Sequence, residues 1–261
     1  MTLRPRAGAR SDEVSAALEL IVVAGVPEIN AGDELGAIIA RQAPLADGDV
    51  VVVAQKVVSK AEGRRQRLAD VRPGERAREL ATRLGKDPAL VELILRESHR
   101  IVRSERVLIV ETNGGLVCAN AGIDSSNAGA AGEVLLLPAD PDGSARRLRA
   151  ELAAATGLRL AVVISDSFGR PWRVGQTEVA IGCAGVDPLD DWRGRSDRDG
   201  RELAATEIAL ADEIAAASDL VRDKASGIPV VIVRGLGDRV TADDGPGAKT
   251  LRRAEADDLF R

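Results

Sequence analysis

AVVISDSFGRPWRVGQTEVAIG, residues Ala161 to Gly182, is the stretch on which the reading of this chain turns. Its first four residues, Ala161-Val162-Val163-Ile164, form a short, unbroken apolar run of the kind that makes a strand covered on both faces. The character then changes at once. Ser165, Asp166 and Ser167 set a carboxylate between two hydroxyls at the strand's end. Gly169 permits a tight turn, and Pro171 stiffens the next step. Arg170, Arg173 and Gln176 follow with planar donors. Hard cations take oxygen ligands, and phosphates take guanidinium groups and backbone amides. Two readings stand side by side: a metal–phosphate site at the mouth of a sheet, or a polar loop with surface arginines.

Further buried strands flank this one. Leu18 to Val23 and Val50 to Ala54 precede it, and Ile228 to Val233 follows. Asp33 is placed to cap a helix running to Ala40. After Ala54 the segment Gln55 to Arg64 is read as extended, with Lys56 and Lys60 on one face and Val57 on the other. Two ammonium groups at a strand end suit an anionic ligand or are simply solvated. Helices are expected over Arg72–Gly85, Pro88–Arg96, Ala145–Thr156 and Thr206–Val221. Strands are expected over Ser98–Ser104, Val107–Glu111, Leu116–Ala119 and Leu135–Pro138, with Asn113-Gly114-Gly115 as a hairpin turn. The segment Asn120 to Asn127 gathers a carboxylate, two hydroxyls and two amides beside a strand; it is either a second half of a site or an Asx-rich turn. Asp190 to Arg201 is charged and Gly-punctuated, a substrate loop or a solvated hairpin tip. The chain from Asp238 is expected to be frayed or lightly docked. Residues 1–15 are set aside as a flexible leader, 16–240 as one catalytic domain and 241–261 as a polar tail.

Composition narrows the function classes. The 261 residues are 45% hydrophobic but only 2% aromatic, with no Tyr. The core must therefore be aliphatic, and base stacking along an open groove is disfavoured. A formal charge of −5 argues against a general nucleic-acid binder. His99 is the only histidine, which removes His-based triads and the usual zinc sites. Cys118 and Cys183 read as buried free thiols of a cytoplasmic protein. No apolar run approaches a membrane span. Neither a P-loop nor a G-x-G-x-x-G fingerprint is present.

Five blocks occur together and in order: AQKVVSKAEGR (Ala54–Arg64), GLVCANAGIDSSN (Gly115–Asn127), LLPADPDGSA (Leu136–Ala145), VISDSFGRPWRVGQTEVAIGCAG (Val163–Gly185) and TEIALADEIAAASDLV (Thr206–Val221). Together they resemble the coenzyme F420-0:L-glutamate ligase (F420 gamma-glutamyl ligase) family over roughly Ile21 to Gly235. The resemblance implies an α+β fold of mixed sheets with packed helices, distinct from P-loop and Rossmann folds. It implies GTP-dependent addition of L-glutamate to the phospholactyl carboxylate of the deazaflavin coenzyme F420-0, then of further γ-linked glutamates. It also implies Mg²⁺ or Mn²⁺, with K⁺ a further candidate cation, and a homodimer. Carried over by position, the metal ligands are Asp124, Asp166 and Ser167. The nucleotide contacts are Val26-Pro27-Glu28-Ile29, Gln55, Lys60, Asn127 and the segment Lys224-Ala225-Ser226-Gly227. Some relatives place a metal-binding Glu or Gln where this chain has Lys224, an ammonium that cannot ligate.

The chemistry expected is acyl activation: γ-phosphoryl transfer to the acceptor carboxylate, then attack by the glutamate amine. Asp124 and Asp166 would hold the cation, while Lys60, Arg170 and Arg173 would neutralise phosphate or carboxylate. The arginine roles come from the residues themselves, not from the resemblance. Two rivals use the same groups: a metal-dependent phosphatase or nucleotide hydrolase, and a non-catalytic nucleotide-binding paralogue.

Overall fold

A computed structural model describes residues 17–126, 129–222 and 226–258. Strand β1 (Glu19–Val22) leads to helix α1 (Leu35–Gln42) and strand β2 (Val50–Ala54). Helix α2 (Gln55–Ala61), strand β3 (Arg65–Arg67) and helices α3 (Glu75–Leu84) and α4 (Pro88–Arg96) follow. Strands β4 (Ser98–Glu105), β5 (Val107–Thr112), β6 (Val117–Ala119) and β7 (Glu133–Leu135) come next. Helix α5 (Pro141–Thr156) precedes the long strands β8 (Ala161–Arg170) and β9 (Arg173–Ala184). The short strands β10 (Asp190–Asp191) and β11 (Glu207–Ile208), helix α6 (Leu210–Asp219) and strand β12 (Val230–Arg234) complete the order.

The main sheet runs β1-β12-β2-β8-β9. Only β2 and β8 are parallel, with Val50 opposite Ala161 and Ala54 opposite Ser165. Alternation along these strands builds two cores. Val51, Val53, Val162, Ile164 and Ile232 pack with Leu35 and Ile39 of α1 and Leu148 and Leu152 of α5. Val50, Val52, Ala161, Val163 and Val233 face Ala211, Ile214 and Ala215 of α6. Both faces are covered, so the strands are apolar throughout. A second, three-stranded sheet β4-β5-β6 packs Leu108 and Val110 on α3 and α4. The architecture is α+β with mixed sheets, as expected.

Several local expectations are corrected. Gln55–Ala61 is helical, not extended; no Gly or Pro interrupts it, and Gln55 Oε1 accepts a hydrogen bond from Ser59 Oγ at 2.9 Å one turn on. A spacing of four keeps Lys56 and Lys60 on one face for a helical reason. Asp33 holds the preceding turn, accepting from Asn30 N at 2.8 Å, and does not cap α1. Helix α5 starts at Pro141, with Asp140 accepting from Gly143 N, a first turn preset by proline. Glu207 and Ile208, expected in a helix, instead pair as β11 with β10. The segment from Val240 to Leu251 is docked, not frayed. Val240 and Ala248 are buried against the α6 face, and Asp142 Oδ1 accepts from Ala248 N at 2.7 Å. The largest correction concerns β8. It does not end at Ile164 but continues to Arg170, and the chain turns at Pro171-Trp172. Ser165 to Arg170 are strand residues, with Ser167 opposite Glu178.

Candidate active site

One large cleft, about 1480 Å³, opens where the C-terminal end of β2, the loop after β6 and the β8–β9 hairpin meet. The Val26-Pro27-Glu28-Ile29 turn, Gln55, Lys56, Lys60, Asp124, Ser126, Asp166, Ser167, Arg170, Glu178, Arg222 and Gly227 all line it. Asp124 and Asp166, far apart in the chain, are thus walls of the same space.

Asp124 is delivered by an unusual turn. Asn120, Ala121 and Gly122 have φ of 52°, 56° and 67°, three consecutive left-handed residues, two of which bear a Cβ. A Cβ on Gly122 would meet the Leu137 side chain at 2.5 Å, so the last must be glycine. The chain then bridges Leu135 through Asp124 N and O, at 2.9 and 2.8 Å. The Asp124 carboxylate is held on both oxygens. Oδ1 accepts from Ser126 N at 2.6 Å and Ser126 Oγ at 2.7 Å. Oδ2 pairs with Lys56 Nζ at 2.7 Å, and the same ammonium donates to Ser126 Oγ at 2.8 Å. Burial alone would raise this carboxyl, but Lys56 and Ser126 together hold it below the usual range.

Among the described residues Asp166 forms no ion pair, and Lys56 acts on it only as a more distant charge. Burial pushes its carboxyl up to about 7, the Ser167 N–H opposes this, and the charges of Glu178 and Asp124 add to it. Both carboxylates line the same cleft, and the charge of Asp124 is felt at Asp166. Strand alternation turns Ser167 to the other face, where its hydroxyl donates to Glu178 Oε1 at 2.5 Å. There Arg222 approaches Glu178 Oε2 at 3.9 Å and donates to Ser218 Oγ at 2.7 Å and Ser165 Oγ at 3.3 Å. Asp166 and Ser167 both line the cleft, with the Ser167 hydroxyl engaged by Glu178.

The remaining expected residues divide. Lys60 lines the cleft but is engaged by Glu28 Oε1 at 2.6 Å. Gln55 is buried, lines the cleft, and its side-chain nitrogen has no hydrogen-bond partner. Arg170 lines the cleft with its guanidinium turned onto Val174 O at 2.9 Å. Arg173 is not a lining residue. It is exposed at the hairpin tip opposite Arg170, four strand positions and about 13 Å beyond Asp166. The continued strand carries it there. Gly227 lines the cleft and Ser226 does not. Asn127, Lys224 and Ala225 lie outside the described residues. Sequence reading offered Lys56 only as an ammonium for an anionic ligand, not as the partner of Asp124, and passed over Glu178. Its signal was a lone carboxylate, 5% exposed, at the polar-to-apolar boundary of β9 directly opposite a hydroxyl.

These donors suit Mg²⁺ or Mn²⁺. They are hard oxygens, and among the described residues no three acidic, Cys or His side chains close into a cage. Mg²⁺ is typically held by one or two carboxylates, with phosphate oxygens and water completing the shell. Burial above all, with the charges of Glu178 and Asp124, opposes ionisation of Asp166, a cost that a bound cation would relieve.

A sequence profile of the F420-0:gamma-glutamyl ligase family matches residues 25–235. The chain belongs to that family. It is an enzyme of the ligase class. It is 46% identical over 251 residues to the coenzyme F420:L-glutamate ligase of Methanothermobacter thermautotrophicus, covering 94% of this chain and 99% of that one. It is 47% identical over 237 residues to the enzyme of the same name from Methanopyrus kandleri, covering 90% and 94%. The Archaeoglobus fulgidus enzyme of that name is 44% identical over 245 residues, covering 94% and 96%. Among the described residues no helix is long and apolar enough to cross a membrane.

Proposed function

We propose that this chain joins L-glutamate to the phospholactyl carboxylate of coenzyme F420-0 and extends it with γ-linked glutamates, consuming GTP, in the cytoplasm. What supports the reading is that Asp124 and Asp166 line one cleft together with Lys60 and the Val26–Ile29 turn. The names of the relatives supply the acceptor and the amino acid.

A carboxylate is a poor electrophile. In the proposed reaction one of its oxygens attacks the γ-phosphorus of GTP, the bond to the β-phosphate oxygen breaks, and GDP leaves. The glutamate amine then attacks the acyl carbon of the acyl phosphate and expels phosphate. Phosphoryl transfer of this kind depends on positioning and charge compensation more than on a protein nucleophile. Asp124 and Asp166 would hold Mg²⁺ or Mn²⁺, which neutralises phosphate charge; Ser167 and K⁺ are secondary candidates in the ion site. Gln55 offers an unpaired amide donor to the nucleotide, and Lys60 an ammonium already drawn to the cleft wall by Glu28. A homodimer is part of this reading.

The test is incubation with F420-0, L-glutamate, metal and either GTP or ATP, followed by mass spectrometry of the acceptor. The expected products are acceptor carrying one or more glutamyl units, with one GDP and one phosphate per unit. Nucleotide hydrolysis with an unmodified acceptor would overturn the reading in favour of a hydrolase. Asp124→Ala is expected to abolish glutamyl addition while circular dichroism remains that of the folded protein.

A further inference from the structure

We propose that the end of the cleft walled by the outward face of β4–β6 and by Phe168 is the seat of the acceptor's flat deazaflavin ring, an inference that rests on the ligation reading above. The first observation is size. Pockets for a single small molecule commonly span some 300–1,000 Å³, and this one is about 1480 Å³. It has room for two ligands at once.

The second observation is how the lining divides. Donors suited to phosphates and a nucleotide lie on the side of the Val26–Ile29 turn, Gln55, Lys60 and Gly227. The other side is a sheet face. In β5, Leu108 and Val110 are buried on α3 and α4, so Ile109 between them points outward. Ile109 pairs with Ala119 of β6, and Val117 lies one step further along the same face. Val102 of β4, Ile109, Val117 and Ala119 all line the cleft. From the hairpin Phe168 and Trp172 join them.

Exposure makes this wall unusual. Among the described residues eight large hydrophobics are exposed, and three of them, Val102, Val117 and Trp172, line this cleft. The chain has only four Phe and Trp residues, and two of them are here. In a chain with 30% charged residues, apolar surface gathered inside a cleft marks a ligand seat. Val102, Ile109 and Val117 make a flat apolar face, with Arg103 the one charged β4 residue in the lining beside it. The face fits the broad face of a fused aromatic ring and not a phosphate or a glutamate. Position agrees with this. Phe168 and Asp166 are two residues apart on β8 and share a face, and Asp124 follows β6 closely in the chain. The apolar seat therefore adjoins the carboxylates, with the nucleotide side beyond them, and an acceptor seated by its ring would extend its arm toward the ion site.

The experiment uses the full chain and two probes: F420-0, and the deazaflavin riboside that lacks the phospholactyl arm. Binding is followed through the ring's own fluorescence for wild type, the Val102→Ser/Val117→Ser double variant and Trp172→Ala. A fluorescent GTP analogue with Mn²⁺ serves as control. All three positions are solvent-facing, so the fold should tolerate the changes. The expected result is riboside binding to wild type, weakened about tenfold in the double variant, with GTP-analogue affinity within about twofold of wild type. The KM for F420-0 rises while kcat is largely kept. Equal riboside affinity in wild type and both variants, with glutamyl addition intact, would overturn the ring seat and leave the ligase reading standing. No glutamyl addition by wild type would remove both.

Discussion

Asp166 is the residue whose environment makes the sharpest demand. Its carboxyl has an ordinary value of 3.8 and is pushed up to about 7 in the folded chain. The folded state therefore binds this proton more tightly than the unfolded state. The resulting stabilisation is fully present below about pH 4 and is lost as pH rises to about 7. Thermal unfolding of the cation-stripped protein should show this decline, and Asp166→Asn should flatten it. Mn²⁺ should raise the midpoint more at pH 8 than at pH 5, because the proton and the metal compete for one carboxylate. Lys56 makes a second demand. It compensates Asp124 directly, whereas Lys60 compensates the exposed Glu28. Lys56→Met leaves Asp124 uncompensated beside Asp166 and is expected to tighten Mn²⁺ binding about tenfold by calorimetry, through loss of a nearby like charge. Lys60→Met should leave that affinity unchanged.

At the scale of elements, the β8–β9 hairpin carries Asp166 and Ser167, and α5 anchors its base. Asp142, in the first turn of α5, is 4% exposed. It accepts from Cys183 N of β9 at 3.0 Å, Ala248 N at 2.7 Å and Lys249 N at 3.2 Å. One side chain thus clasps helix, hairpin base and C-terminal segment. Asp142→Ala would strand three buried amides and is expected to cost about 3 kcal/mol, read by urea denaturation, with faster amide exchange across 244–251. The clasp was invisible in the sequence because the C-terminal segment is mostly polar: its apolar anchors, Val240, Ala248 and Leu251, are too sparse to show a period, and Asp142 reaches it through backbone amides. What was legible follows the same logic. The runs Val50–Ala54, Ala161–Ile164 and Ile228–Val233 announce strands because both faces must be apolar. The helix at Gln55–Ala61 was missed since seven residues with two lysines and three β-branched or small apolar positions fit either period. The extension of β8 was missed because its outer half leaves the core. There a strand has no burial pattern to reveal it, and Gly169 looks like a turn residue although the turn comes two positions later, at Pro171-Trp172. Asp124 and Asp166 were found as oxygen donors at strand ends. The partners of Lys56 and Glu178 were not found, since a pairing across the fold leaves no local trace.

The whole molecule shows where its scarce apolar surface is spent. Two aliphatic cores sandwich the main sheet between α1 and α5 on one side and α6 with the C-terminal segment on the other. Past this sandwich the β8–β9 hairpin projects with few covering residues. At its tip Trp172 has a left-handed φ of 63° and is 85% exposed, and Val174 is 95% exposed. Such a tip is costly to keep in water: burying a side chain of valine size contributes about 1.5 kcal/mol or more. A second copy of the chain is the partner proposed to cover the Val174 side of the tip, which lies outside the cleft, consistent with the homodimer in the functional reading. Val174 is the better probe, for it is not part of the cleft lining. Val174→Asp would place a desolvated charge in a symmetric contact, where it meets its own copy or an apolar neighbour. Sedimentation velocity at micromolar concentration is expected to give a dimer for wild type and a monomer for Val174→Asp, with the unfolding midpoint of the isolated chain little changed. A variant that still sediments as a dimer would move the contact away from the hairpin tip, and a wild-type monomer would end the proposal.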